Sequence, residues 1–350
     1  MRIRAIAPGY VTRVTALDWT PALVVERRRG ELAKCGITAI GRAVARETRH
    51  PGLHDARGRD LSHRLVEVRG VETYVVDAGD GPPVLLIHGY GDTADGWRRV
   101  VPGLLDSGHR VIAIDIPPFG RSGDPRTRKL IDFYKPFFPE LLQRLEVDRA
   151  TVIGHSLGGA IALHLTLDRP ELVERLGLVA PAGLGKTPPW WWYAITGYGT
   201  AWKAALSLPS PVTPLLIRQG LTRFLDWRLF HDPRQMRESI DHLVRMHSSP
   251  RDFDRLLAAG RCCIDSYTGT LLEDSAAITV PKWMVWGRED GLVPAKHAEA
   301  FAKLHPDAEV HVFEDCGHYP QIELPARFNA LLQEWVEGTE DRPARIARAA

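Results

Sequence analysis

No run in this 350-residue chain approaches the ~20 consecutive apolar residues that span a bilayer, so a transmembrane protein is not expected. An excess of one charge is also missing. The 45 Lys and Arg stand against 43 Asp and Glu, which excludes a surface built throughout to grip nucleic acid. Cysteine is scarce: Cys35, Cys262, Cys263 and Cys316 are too few for a disulfide scaffold, and the adjacent pair lacks metal-ligand spacing. A reducing, cytoplasmic compartment is the simplest expectation. Arg2 and Arg4 open the chain, but Pro8, Arg13 and Asp18 interrupt any apolar stretch after them, so no secretory leader is expected. With 44% hydrophobic and 25% charged residues, the composition argues for a large folded core rather than disorder.

Charge divides the chain unevenly. Residues 1–63 carry 12 basic and 6 acidic side chains, whereas the remainder carries 33 and 37. The first 63 residues therefore read as a basic extension. Within it Ala33, Ile37, Ile40 and Val44 recur at helical spacing, with Arg42, Arg46 and Arg49 off that stripe. The plainest expectation is a short helix packed on the body or left loose. The alternatives are weak contact with an anionic membrane surface and an Arg-rich organelle transit peptide. Residues 338–350 form a polar tail.

From about residue 64 short apolar runs rich in β-branched residues alternate with helical periods. Strands are predicted at 71–77, 83–87, 110–116, 150–153, 176–179, 283–286 and 310–313. Helices are predicted near 94–106, 129–145, 157–168, 295–304 and 325–337. Continuous apolar strands between helices argue for an α/β fold, a mostly parallel, doubly wound sheet covered on both faces. The alternation breaks once. Residues 183–275 have helical periodicity and no convincing strand, which makes them a candidate lid between core segments 64–182 and 276–337.

The chemistry concentrates after the 150–153 run, at Gly154-His155-Ser156-Leu157-Gly158. This is G-x-S-x-G between a strand and a helix, a context that lifts a serine above a sheet edge. Without that context a chain with 31 glycines makes the motif weak, and Ser156 would read as a helix cap. A serine hydroxyl needs a base, and the base needs an orienting carboxylate. Of 14 histidines, His318 follows the last predicted strand on a short loop, at the same sheet edge as Ser156. His88 and His155 flank backbone motifs and read as structural. His231, His242 and His247 lie in the helical insertion without an orienting context. Asp290 is the candidate carboxylate, with Glu289 its adjacent rival. An oxyanion needs backbone donors. His88-Gly89-Tyr90-Gly91 directly after the 83–87 strand offers the N–H of Tyr90, and the helix start offers that of Leu157.

With these segments the chain resembles the α/β-hydrolase superfamily over residues 64–337. The resemblance rests on His88-Gly89-Tyr90-Gly91, the 115–122 segment, the Ser156 elbow, the Asp290 segment and Gly317-His318, all in family order. Pro118 departs from the family's usual glycine, in a loop bordering the pocket. The resemblance implies a Ser156–His318–Asp290 hydrolase with a lid between the sixth and seventh strands, and no metal or organic cofactor. Haloalkane dehalogenases and epoxide hydrolases place aspartate where Ser156 stands, which argues against both. Meta-cleavage carbon–carbon hydrolases often carry Trp after the catalytic histidine, where this chain has Tyr319. The elbow and lid look like those of monoacylglycerol-lipase-type enzymes. The expected activity is hydrolysis of a small apolar carboxylic ester through an acyl-enzyme. The alternatives are meta-cleavage carbon–carbon hydrolysis and a non-catalytic ligand-binding module. Five of ten tryptophans lie in the insertion, and Trp191 and Trp192 are candidates for lining an acyl channel.

Overall fold

In a computed structural model of the protein, residues 52–185, 212–264 and 271–338 are described. The basic extension up to residue 51, Trp191, Trp192 and the tail from residue 339 lie outside the described residues.

Eight strands form one sheet: β1 (His63–Val68), β2 (Val71–Ala78), β3 (Pro83–Ile87), β4 (Arg110–Ile114), β5 (Ala150–His155), β6 (Val173–Val179), β7 (Lys282–Gly287) and β8 (Glu309–Phe313). Their order is β1-β2-β4-β3-β5-β6-β7-β8. β1 pairs antiparallel with β2, and β2 antiparallel with β4; every other pairing is parallel. The pleat explains why β3 is apolar at nearly every position. Leu85 and Ile87 enter one core cluster, and Val84 and Leu86 enter the other. On one side α2 (Leu130–Arg144) and α3 (Leu157–Asp168) cover the sheet with Phe137, Phe138 and Leu163. On the other side α1 (Val101–Asp106) contributes Leu104, and Phe328 and Trp335 come from the C-terminal helix Pro325–Glu337. The fold is the doubly wound, mostly parallel sheet that the alternation implies.

The core begins earlier in the chain than residue 64. Leu53 is buried in the sheet's second cluster, and β1 starts at His63. A boundary drawn by charge misses this, because five of the six residues of β1 are exposed or half-buried and show no clean alternation. The helix expected at 94–106 is two pieces, a 3₁₀ turn at Ala94–Trp97 and then α1. Pro102 lacks an N–H and sits in the first turn of α1, where that loss costs nothing. β4 stops at Ile114 rather than Ile116, since the Asp115 carboxylate turns inward to accept from the backbone of Ala94 and from Arg121.

Between β6 and β7 the described chain is helical: α4 (Val212–Arg228), α5 (Arg237–His247), α6 (Pro250–Ile264) and the short α7 (Leu271–Asp274). After β7 come α8 (Lys296–Leu304), α9 (Pro320–Glu323) and α10 (Pro325–Glu337). No helix among the described residues is long and apolar enough to cross a membrane.

Candidate active site

Ser156 sits between the end of β5 and the start of α3 with φ 52° and ψ −114°, a conformation that side chains rarely adopt. Its backbone is pinned on both sides. Ser156 N–H donates to the Val179 carbonyl at 2.9 Å, and its own carbonyl accepts from Gly159, Ala160 and Ala182. The turn also needs bare backbone nearby. A Cβ on Gly154 would fall 2.2 Å from the Gly158 carbonyl oxygen, and one on Gly158 would fall 2.2 Å from that of Ile87. The glycines of the motif are thus dictated by close approach, and together they leave Ser156 on a rigid perch.

Asp290 follows β7, and His318 follows β8 before α9. His318 Nδ1 lies 2.7 Å from Asp290 Oδ2. A carboxylate only accepts, so the proton belongs on Nδ1 and leaves a lone pair on Nε2. Among the described residues that Nε2 has no hydrogen-bond partner, and it is buried. Asp290 is itself held by three further donors: the N–H groups of Leu292 and Val293 on Oδ1, each at 2.8 Å, and Trp286 Nε1 on Oδ2 at 3.1 Å. Glu289, the rival, is exposed and accepts instead from the Cys316 N–H at 2.9 Å.

The backbone of His318 is gripped from two sides. Its N–H donates to the Leu229 carbonyl at 2.6 Å, and its carbonyl accepts from His155 Nε2 at 2.9 Å. His155 therefore anchors the loop that carries His318, and burial beside His318 holds its own pKa well below the usual histidine value. His88 is equally structural. Its Nε2 accepts from the Ile116 N–H at 2.8 Å, which assigns the ring proton to Nδ1, facing the Gly89 carbonyl at 2.7 Å. Burial pushes the His88 pKa down to about 4, so the imidazole is neutral at ordinary pH.

Ser156 and His318 open on one cavity of about 180 Å³, and Gly89, Tyr90 and Leu157 share its wall. The rest of that wall is largely aliphatic and aromatic, with Leu221, Phe224 and Leu225 from α4 and Phe253, Leu256 and Leu257 from α6. Local sequence signals do not find several residues at this site. Trp286 grips the acid through an indole N–H four residues upstream. His247, in the insertion, lines the cavity. Asp92 is buried behind the wall and hydrogen-bonds the hydroxyl of Tyr319; burial raises its carboxyl pKa to about 7. The H-G-Y-G-D spacing in the sequence is the only hint of Asp92, and nothing local hints at the other two. His231 and His242 do not reach the cavity wall. Among the described residues one trio of potential metal ligands, His231, Glu289 and Asp315, lies exposed, and none of the three lines the cavity.

A strained serine at a strand–helix elbow, facing a histidine–carboxylate pair across an apolar cavity, defines the hydrolase class of doubly wound α/β proteins. A family model for the alpha/beta hydrolase fold matches residues 82–325, and the chain belongs to that family. It is 30% identical over 302 residues to an uncharacterized protein of Mycobacterium tuberculosis, covering 83% of this chain and 86% of that one. It is 30% identical over 285 residues to a 2-hydroxy-6-oxononadienedioate/2-hydroxy-6-oxononatrienedioate hydrolase of Pseudomonas sp., covering 76% and 92%. Among solved structures, a meta-cleavage product hydrolase from Pseudomonas fluorescens is similar with a TM-score of 0.66 at 27% identity, covering 79% of this chain and 98% of that one.

Proposed function

We propose that this hydrolase cleaves carboxylic esters with an apolar acyl chain through a serine-bound acyl-enzyme. The single observation that carries the reading is the chemistry of the cavity wall. Apart from Ser156, the polar side chains on it are two tyrosines and three histidines, and no Lys or Arg lines it among the described residues. By their names the Pseudomonas relative acts on a dicarboxylate and the structural neighbour on a meta-cleavage product. Holding a buried carboxylate calls for a cationic or multiply donating partner. An uncharged acyl chain calls for none.

In this reading His318 Nε2 takes the Ser156 proton as Oγ attacks the ester carbonyl. The resulting imidazolium is stabilised by the Asp290 carboxylate at Nδ1. The oxyanion is held by the N–H groups of Tyr90 and Leu157. Collapse of the tetrahedral intermediate breaks the C–O bond, and His318 passes its proton to the departing alcohol. Water then enters and attacks the acyl carbon as it loses a proton to His318; the bond to Ser156 Oγ breaks, His318 returns the proton to Oγ, and the acid leaves. The helices of the insertion act as a lid that keeps the acyl pocket dry.

Carbon–carbon hydrolysis of a vinylogous diketone is the second reading, favoured by the identity to the Pseudomonas hydrolase. A panel of p-nitrophenyl esters from C2 to C12, monoacylglycerols, lactones and a vinylogous diketone separates the two. Turnover of the diketone alone would replace ester hydrolysis with the second reading. Failure of Ser156 to react with a fluorophosphonate would point to a non-catalytic binding module.

A further inference from the structure

We infer that His247 is a positioning residue for the oxyanion loop, so that the helical insertion sets the catalytic backbone as well as covering it. The inference rests on the serine-hydrolase reading above and adds a residue to its machinery. Gly89 and Gly91 flank Tyr90, and Gly91 has φ +70°. A loop with glycine on both sides of its donor has little stiffness of its own. His88 Nδ1 holds the Gly89 carbonyl at 2.7 Å, before the donor, but the contact that closes the loop after it, from the Asp92 N–H to the same carbonyl, is long at 3.3 Å. An oxyanion donor works by being fixed before charge develops, so this loop needs support from elsewhere.

That support comes from the insertion. His247, the last residue of α5, contacts the Gly91 carbonyl through Nε2 at 2.5 Å. A carbonyl only accepts, so His247 donates. The Tyr90 hydroxyl donates to the carbonyl of Leu256 in α6. Arg98 Nη2 donates to Ser239 Oγ in α5 at 2.7 Å, which ties down the segment just after the loop. Packing agrees with the polar contacts. A Cβ on Gly91 would fall 2.8 Å from Leu256 Cδ1, so α6 sits directly against the loop backbone. His247 and Tyr90 thus hold the chain on the C-terminal side of the Tyr90 N–H, one through the Gly91 carbonyl oxygen and one through the Tyr90 side chain. The contact uses the imidazole tautomer that carries its proton on Nε2.

The test compares wild type, His247→Ala, His247→Gln and Tyr90→Phe with a p-nitrophenyl ester and with a trifluoromethyl ketone that mimics the tetrahedral intermediate. For His247→Ala we expect kcat to fall about 10- to 100-fold with KM within about threefold, below the full loss of an oxyanion donor. Affinity for the ketone should fall by the same factor as kcat/KM. His247→Gln keeps a donor at similar reach and should recover most of the loss, and Tyr90→Phe should reproduce part of it. A change in KM or chain-length preference at constant kcat would make His247 a substrate-contacting wall and overturn the inference. Unchanged kinetics in His247→Ala and Tyr90→Phe would overturn it too. Thermal midpoints monitor folding, and the Gln and Phe variants carry the test if the alanine variant is unfolded. Fluorophosphonate labelling of wild type separates the two levels: without labelling the serine reading itself fails, whereas with labelling and unaffected variants only the clamp fails.

Discussion

Trp286 Nε1 donates to Asp290 Oδ2 at 3.1 Å, the same oxygen that His318 Nδ1 meets at 2.7 Å. Oδ1 takes the N–H groups of Leu292 and Val293, so both oxygens of the acid are fully engaged. Four donors on one buried carboxylate fix its orientation. The indole also donates to the Val293 carbonyl at 2.9 Å, which ties the loop to its own strand.

Trp286→Phe keeps an aromatic ring, smaller than indole, and removes the N–H from both Asp290 and the Val293 carbonyl. The acid then has one fewer constraint on the oxygen facing His318. We expect kcat/KM to fall about tenfold, against a loss on the order of 10⁴ for Asp290→Asn, which puts the wrong tautomer on His318. Steady-state kinetics on a p-nitrophenyl ester checks both. Equal damage from the two variants would mean that Trp286 supports the fold rather than the acid.

The proposed nucleophile makes a direct prediction. Ser156→Ala and His318→Ala should each lower kcat by about 10³-fold or more, and the double variant should be scarcely worse, because the residues act as a unit. Ser156→Ala also keeps the left-handed backbone strain at that position, so its thermal midpoint should stay near wild type. Retention of a tenth of wild-type turnover by Ser156→Ala would assign the chemistry to another residue.

Local spacing reads well where the physics is local. The elbow is legible because close approach forces glycine at 154 and 158 within five residues of chain. β3 to β8 are legible because each carries a run of buried apolar residues, even where Glu174, Arg175, Lys282, Glu309 and His311 interrupt or border it. Leu53 and β1 are less so, since an edge strand with exposed His63, Arg64 and Leu65 carries neither alternation nor a continuous apolar run. His247 is invisible for another reason. Its partner, Gly91, lies 156 residues away, and no periodicity encodes a contact that only tertiary packing creates. Asp290 over Glu289 is likewise decided by packing, because two adjacent carboxyls point to opposite environments, one buried and one exposed.

His88 predicts an acid limit to the fold. Its pKa is pushed from 6.5 down to about 4 by burial, while the unfolded chain regains the ordinary value. The folded state therefore binds fewer protons between those values, and stability is complete above pH 6.5 and lost as pH falls toward 4. At pH 5 this one group costs about 2 kcal/mol by linkage. Protonation would also abolish the acceptor that Nε2 offers to the Ile116 N–H. Thermal midpoints of wild type and His88→Gln measured from pH 7.5 to 5 should show a shallower decline in the variant, whatever its starting stability. Parallel declines would mean that another group, such as His155, dominates.

The last prediction concerns chain length. The aliphatic wall from α4 and α6 gives an acyl chain contact along its length, and each buried CH₂ contributes roughly 0.8 kcal/mol at most, or about fourfold in kcat/KM. Specificity should therefore rise from C2 esters to about C6–C10 and then level off where the cavity ends. Leu221 lines this space from α4 and is only partly buried, although it also packs against the core cluster, so a larger side chain there reaches into the acyl space. Leu221→Trp should shorten the pocket. Octanoate esters should then lose at least tenfold in kcat/KM, while acetate esters stay within about threefold, because their reacting carbonyl sits at Ser156. If both esters lose activity equally, Leu221 is holding the lid in place rather than bounding the acyl chain. A wild-type preference for acetate would mean that the acyl group does not occupy this cavity at all.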